Sequence, residues 1–194
     1  MTNNNEENHW LRRIDAMGRS QSRYLWILLV TGLFYLSLHR ANPETQEFVV
    51  PFINLKLDAL IIMASGGPVL AFLLLVTLGA LRAWKRAVDQ YYELTNATGS
   101  ERLDIHPNAL DLAFYTTVKS PKCIRWFTWQ LYPLFLSALS AEAWWLLVLT
   151  WTNPESPGRI AFVIVGALLL VPATFLVLKL WWSKNRQANK EARD

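Results

Sequence analysis

Four long apolar blocks, at about 24–39, 59–81, 129–151 and 160–182, dictate what this chain can become. A hydrocarbon layer is crossed by roughly 20 predominantly apolar residues in a helix. Lipid offers no hydrogen bonds, so a spanning segment must satisfy its backbone internally, and a helix does so within one segment. A chain of 194 residues is too small to bury four such helices in a water-soluble core. The blocks therefore predict an all-α polytopic membrane protein with four transmembrane helices and short amphipathic cytoplasmic helices. The first block is the shortest and needs snorkelling flanks or local thinning of the bilayer. It follows a polar segment of more than twenty residues, and "LSLHRANPE" offers no small-x-small cleavage site, so it reads as a retained span.

Positive charge sets the orientation. Arg12, Arg13, Arg19 and Arg23 precede the first block. Arg82, Lys85, Arg86, Arg102, Lys119, Lys122 and Arg125 lie between the second and third, and Lys179, Lys184, Arg186, Lys190 and Arg193 stand at or beyond the end of the fourth. The other two connections hold only Arg40, Lys56 and Arg159. Cytoplasmic flanks collect Lys and Arg, so both termini and the central loop are expected in the cytoplasm. The net charge of +4 follows from this bias. It makes the lipid bilayer the partner and argues against nucleic acid, for which no basic folded module or motif is present. Aromatic residues fit the same layout. Tyr24, Trp26, Trp84, Tyr91, Tyr92, Trp126, Trp129, Tyr132, Trp181 and Trp182 sit at the inner interface, with Trp144, Trp145 and Trp151 at the outer one.

Along the chain, residues 1–22 form a cytoplasmic N-terminal segment. Within it 1–8 are polar and expected to be disordered, and Trp10, Leu11, Ile14 and Met17 recur at helical spacing opposite arginines. That stripe suits an amphipathic helix lying on the inner leaflet or packing on the cytoplasmic loop. Residues 23–182 form the transmembrane domain, with a cytoplasmic helical loop at 82–128, and 183–194 form a basic cytoplasmic tail. The outer loop "FVVPFINLKL" is β-prone and broken by Pro51, which predicts an extended apolar loop or short hairpin. In the second block, Gly66, Gly67 and Pro68 predict a kink near Ser65 or a helix that starts only there. The kink serves close helix packing or a binding site made by a broken helix. Pro172 is a second kink position, in the fourth block. In the cytoplasmic loop, "RAWKRAVDQYYEL" and "HPNALDLAFYTTV" read as helices. Trp84, Tyr91, Tyr92 and Phe114 form the expected partner-binding surface.

The stretches "LVTGLFYLSL", "VVPFINLKLDALIIMASGGPVLAFLLL" and "WFTWQLYPLFLSAL", with the last apolar block, resemble a bacterial four-helix inner-membrane domain often found in front of pentapeptide-repeat segments. Pro51, Asn54, Leu55 and Pro68 match its outer-loop pattern, and Trp129 and Pro133 match the start of its third span. The resemblance covers about 23–182. It departs at Asp58, where a second proline is usual, and no pentapeptide repeat is present. It implies a four-span layout and brings no catalytic residues.

No phosphate-binding glycine loop, nucleophile elbow or zinc-protease helix occurs. The single cysteine, Cys123, permits no intrachain disulfide and no cysteine metal cluster. His9, His39 and His106 are scattered. No catalytic, cofactor-binding or metal site is assigned, and a non-enzymatic role is expected. One residue stands out. Glu142 lies inside "SALSAEAWWLLVL" with no base within a dozen positions. An ionised carboxylate at the bilayer centre costs about 2.5–3.5 kcal/mol on insertion scales, so Glu142 is expected to face the other helices. Ser137 and Ser140 are expected beside it, with His39, Arg40 or Lys56 as partners. Its roles are structural glue, an ion or proton path, or substrate contact. Two functions follow: an oligomeric membrane scaffold or sensor that presents cytoplasmic helices to a partner protein, and a homo-oligomeric pore, such as a membrane effector of a bacterial defence or stress system.

Overall fold

The computed structural model describes residues 3–40, 47–50, 55–95, 122–153 and 158–191, with side chains over 9–39, 60–91, 132–153 and 158–182. The elements run α1 (Asn3–Arg40), β1 (Glu47–Val50), β2 (Leu55–Asp58), α2 (Ala59–Thr95), α3 (Lys122–Thr152) and α4 (Arg159–Glu191). Among the described residues three helical segments are long and apolar enough to cross a membrane: Leu60–Tyr91, Tyr132–Thr152 and Arg159–Trp182. The described residues are all-α apart from one antiparallel hairpin, in which Glu47 pairs with Asp58 and Val50 with Leu55. The β-prone outer loop thus closes as a hairpin, and Pro51 falls outside the described residues.

The helices extend further than the apolar blocks. α1 is one helix from Asn3, where the sequence suggested disorder followed by a separate amphipathic helix. No proline interrupts residues 3–40. α2 runs unbroken from Ala59 through Pro68, so it does not start at Ser65. Pro68 leaves the Ala64 carbonyl without its helical donor, and packing from the neighbouring helices holds the element together. α3 begins at Lys122, well before residue 129, and carries the buried Pro133 within it. α4 continues past residue 182 into the basic tail. The helix expected at 106–118, and with it Phe114, lies outside the described residues.

α2 is the hub, touching α1, α3 and α4 along its length, while α1 meets α3 at a small contact only. The core is built from Leu28, Tyr35, Leu70, Leu74, Leu136, Ala143, Leu147, Leu170 and Ala173. A second cluster lies beyond it. There Ile14 of α1 packs on Ala87 and Tyr91 of α2, with Trp10, Leu11, Met17, Trp84 and Val88 around them. The amphipathic stripe of residues 9–22 is therefore spent on α2, which leaves it little apolar surface for a leaflet.

The outside is apolar. Trp26, Val30 and Leu33 on α1, Phe72 on α2, Trp145 and Val148 on α3, and Leu168, Phe175 and Trp182 on α4 are all exposed. A water-soluble protein rarely leaves so continuous an apolar surface open, whereas lipid covers it at no cost. Gly158, just before α4, has a φ of 67° in the left-handed region. Glycine adopts that conformation without strain. The Gly158 carbonyl then accepts the first helical bond of α4 from the Phe162 N–H at 3.0 Å.

Candidate functional site

Three glycines set how closely the helices approach. A methyl on Gly66 would lie 2.9 Å from Leu146 and from the Tyr35 ring. One on Gly67 would lie 2.6 Å from Leu147, and one on Gly166 would lie 2.4 Å from the same leucine. Leu147 of α3 thus sits in a socket whose two walls are bare backbone, on α2 and α4. Small residues allow this close approach. Gly66 and Gly67, with the buried Pro68, lie in a helix contact. Pro172, by contrast, faces outward on α4.

Polar side chains tie the same helices together. Ser65 Oγ donates to the Ile62 carbonyl at 2.7 Å, so its one proton is used, and the Tyr35 hydroxyl donates to Ser65 Oγ at 3.2 Å. Between α3 and α4, the Trp181 indole N–H donates to Ser137 Oγ at 2.8 Å, and Ser137 donates to the Pro133 carbonyl at 2.8 Å. Two turns along each helix the Trp144 N–H donates to Thr174 Oγ1 at 3.0 Å, and Ser140 Oγ lies 3.1 Å from the same oxygen. Trp144 and Trp181, read from the sequence as interface aromatics, hold α3 to α4.

Glu142 faces α1. A methyl on Gly32 would sit 3.1 Å from Glu142 Oε2 and 2.6 Å from Leu139 Cδ2, so the carboxyl lies over the bare backbone of α1. Its Oε1 is buried and has no hydrogen-bond partner. The residues expected around it are arranged differently. Ser137 and Ser140 point to α4, because a step of two residues, from Ser140 to Glu142, turns a helix by about 200°. His39 packs edge-on to Trp145, ring centroids 6.4 Å apart, and makes no ion pair with Glu142. The side chains of Arg40 and Lys56 lie outside the described residues. Gly32 was missed from the sequence: it stood in the apolar block as one small residue among several, and only the α1–α3 register shows that it accommodates Glu142.

Of the expected partner-binding surface, Tyr91 is buried and Trp84 half-buried in the α1–α2 cluster, so both serve that contact. The side chain of Tyr92 is not described. The exposed charged residues of this projecting pair are mostly basic: Arg12, Arg13, Arg19 and Arg23 on α1, and Arg82, Lys85 and Arg86 on α2, against Asp89. Arg13 lies over the Trp10 ring, 5.2 Å from its centroid, and Arg19 pairs with Asp15 one turn earlier. Among the described residues no group of three or more metal-ligating side chains occurs.

Long apolar helices, glycine-mediated contacts and an apolar exterior define a helical membrane protein. No protein-family model, curated protein or solved structure matches the chain.

Proposed function

We propose that this chain is a four-span protein of a bacterial inner membrane, with both termini in the cytoplasm. In this reading it works as a non-enzymatic, oligomeric scaffold or sensor that presents a cytoplasmic helix pair to a partner protein. The apolar exterior of α1 between Trp26 and Leu36 supports the fourth span. The distribution of Lys and Arg supports the orientation. The resemblance to the four-helix domain associated with pentapeptide repeats gives the same layout. The observation that carries the functional reading is the second apolar cluster. Ile14, Ala87 and Tyr91 join α1 to α2 away from the main core, producing a projecting, basic, two-helix stalk continuous with two spans.

The test is site-specific photocrosslinking in living cells. A photoreactive residue at Arg12 or Arg13 is expected to yield discrete adducts with a cytoplasmic protein, and one at Val148 is expected to yield none. Adducts absent from every stalk position would count against presentation of the stalk.

The pore reading is favoured by one observation, the buried unpartnered oxygen of Glu142. It predicts depolarisation on induced expression, read with a potential-sensitive dye, and loss of that signal in Glu142→Gln at matched membrane levels. With no depolarisation by the wild type, the pore reading fails.

A further inference from the structure

Around α2 the other helices do not close a ring. α1 touches α3, α3 packs on α4, and α1 and α4 have no substantial contact. The open side of α2 therefore lies between α1 and α4. Ile61, Phe72, Gly79 and Arg86 recur along it at spacings of eleven, seven and seven residues, one side of a helix, and all four are exposed. Gly79 is unlike the glycines described above. A methyl there meets nothing within 4 Å, whereas Gly32, Gly66, Gly67 and Gly166 each give way to a neighbouring side chain. Glycine costs about 0.5–1 kcal/mol relative to alanine inside a helix, and among the described residues no contact explains that cost.

Arg82 and Lys179 come to nearly one height, with Arg86 a turn farther out and Arg23 nearer the core. Gly67 and Gly166 share the Leu147 contact, which places α2 and α4 side by side and in register. Arg82 is fifteen residues beyond Gly67 and Lys179 thirteen beyond Gly166. At about 1.5 Å per residue they lie within ~3 Å of one level. α1 runs antiparallel, pinned by Tyr35 at Ser65. Arg23 of α1 then falls about 7 Å from the level of Arg82, on the flank turned away from α3. A headgroup layer is roughly 5–7 Å deep on each side of the hydrocarbon. Arg23, Arg82, Arg86 and Lys179 are all exposed. The described acids of this end are Asp15, paired with Arg19, and Asp89, about a turn beyond Arg86.

We propose that the open side of α2 between α1 and α4 is a seat for an anionic phospholipid of the cytoplasmic leaflet. Its phosphate lies among Arg82, Arg86, Lys179 and Arg23, its glycerol passes the bare backbone at Gly79, and an acyl chain runs along Phe72. This rests on the membrane-spanning, cytoplasm-facing reading above. Arginine forks suit phosphate oxygens, and the apolar run above them suits the chain.

The test uses the full chain purified in a neutral detergent, with phosphatidylglycerol and phosphatidylcholine of identical acyl chains offered together. Lipid retention is read by native mass spectrometry. The wild type is expected to retain phosphatidylglycerol preferentially, with roughly fivefold lost for each basic side chain removed from the headgroup. The Arg82→Gln/Arg86→Gln double variant is expected to lose most of the preference. Arg12→Gln/Arg13→Gln, the same charge change farther out, is expected to keep it. Gly79→Leu keeps every charge and fills the seat, so retention of both lipids falls. Equal losses in the two double variants would mean diffuse charge attraction and would overturn the seat. An altered oligomer mass in Gly79→Leu with unchanged lipid retention would assign this side to a second copy, overturning the proposal too. Extraction of the chain from membranes by alkaline carbonate would overturn the membrane reading itself. Retention in membranes without lipid preference would overturn the seat alone.

Discussion

Glu142 lies against Gly32, and its buried Oε1 has no partner there. A buried unsatisfied polar group costs about 1–3 kcal/mol, whereas an apolar residue of similar shape removes the cost. Glu142→Met is therefore expected to raise the midpoint of thermal unfolding in detergent. A lowered midpoint would show that the carboxyl has a stabilising partner. Gly32→Val is expected to act in the opposite direction, by about 1–3 kcal/mol, because it drives α1 away from α3.

The Leu147 socket makes a compensatory prediction. Gly166→Ala inserts a methyl 2.4 Å from Leu147 Cδ2 and is expected to destabilise by about 1–3 kcal/mol. Leu147→Ala alone is expected to cost about 2–5 kcal/mol through the cavity it leaves. Combined, the two are expected to cost less than their sum, because the new methyl occupies part of that cavity. Strict additivity in unfolding measurements would argue that the two residues do not touch.

Trp181→Phe removes the donor to Ser137 and keeps most of the ring. The expected loss is about 0.5–1.5 kcal/mol, because Ser137 still donates to the Pro133 carbonyl. Trp144→Phe is expected to lose a similar amount at Thr174. The two bonds share no partner, so the losses should sum in the double variant. Fluorescence-detected unfolding in detergent reads all three.

Ile14→Asp places a charge in the α1–α2 cluster, beyond the main core. It is expected to release residues 9–23 from α2 while the spans stay inserted. With the cytoplasmic orientation proposed above, limited trypsin treatment of inside-out vesicles should then cut at Arg12, Arg13 or Arg19 many times faster than in the wild type. Unchanged cleavage would show that the cluster does not hold the stalk.

Much of this architecture is legible in the residues. A long apolar run has one spanning solution for a single segment, so the second, third and fourth blocks could only be helices. The inward direction of Glu142 followed from the cost of exposing a carboxyl to lipid. Its neighbours did not follow, because they depend on the α1–α3 register, which apolar sequence encodes only in the sizes of Gly32, Leu139 and their like. Ser137 and Ser140 were grouped with Glu142 by proximity in sequence, although a helical wheel separates them. The continuity of α1 was hidden by composition. A change from polar to apolar at Tyr24 looks like an element boundary, yet a helix needs a proline, a glycine cap or a competing contact to stop, and none stands there. Trp144 and Trp181 suited an interfacial reading, and only the neighbouring helix revealed that their N–H groups are committed to hydroxyls.

The unbroken course of α1 has a mechanical meaning. A helix of 38 residues is about 57 Å long, and a tilt of ~5° about one end carries the other end through ~5 Å. A tilt about the Arg40 end would carry Ile14, twenty-six residues away, about three times as far as Gly32, eight residues away, and with it the arginines around Ile14.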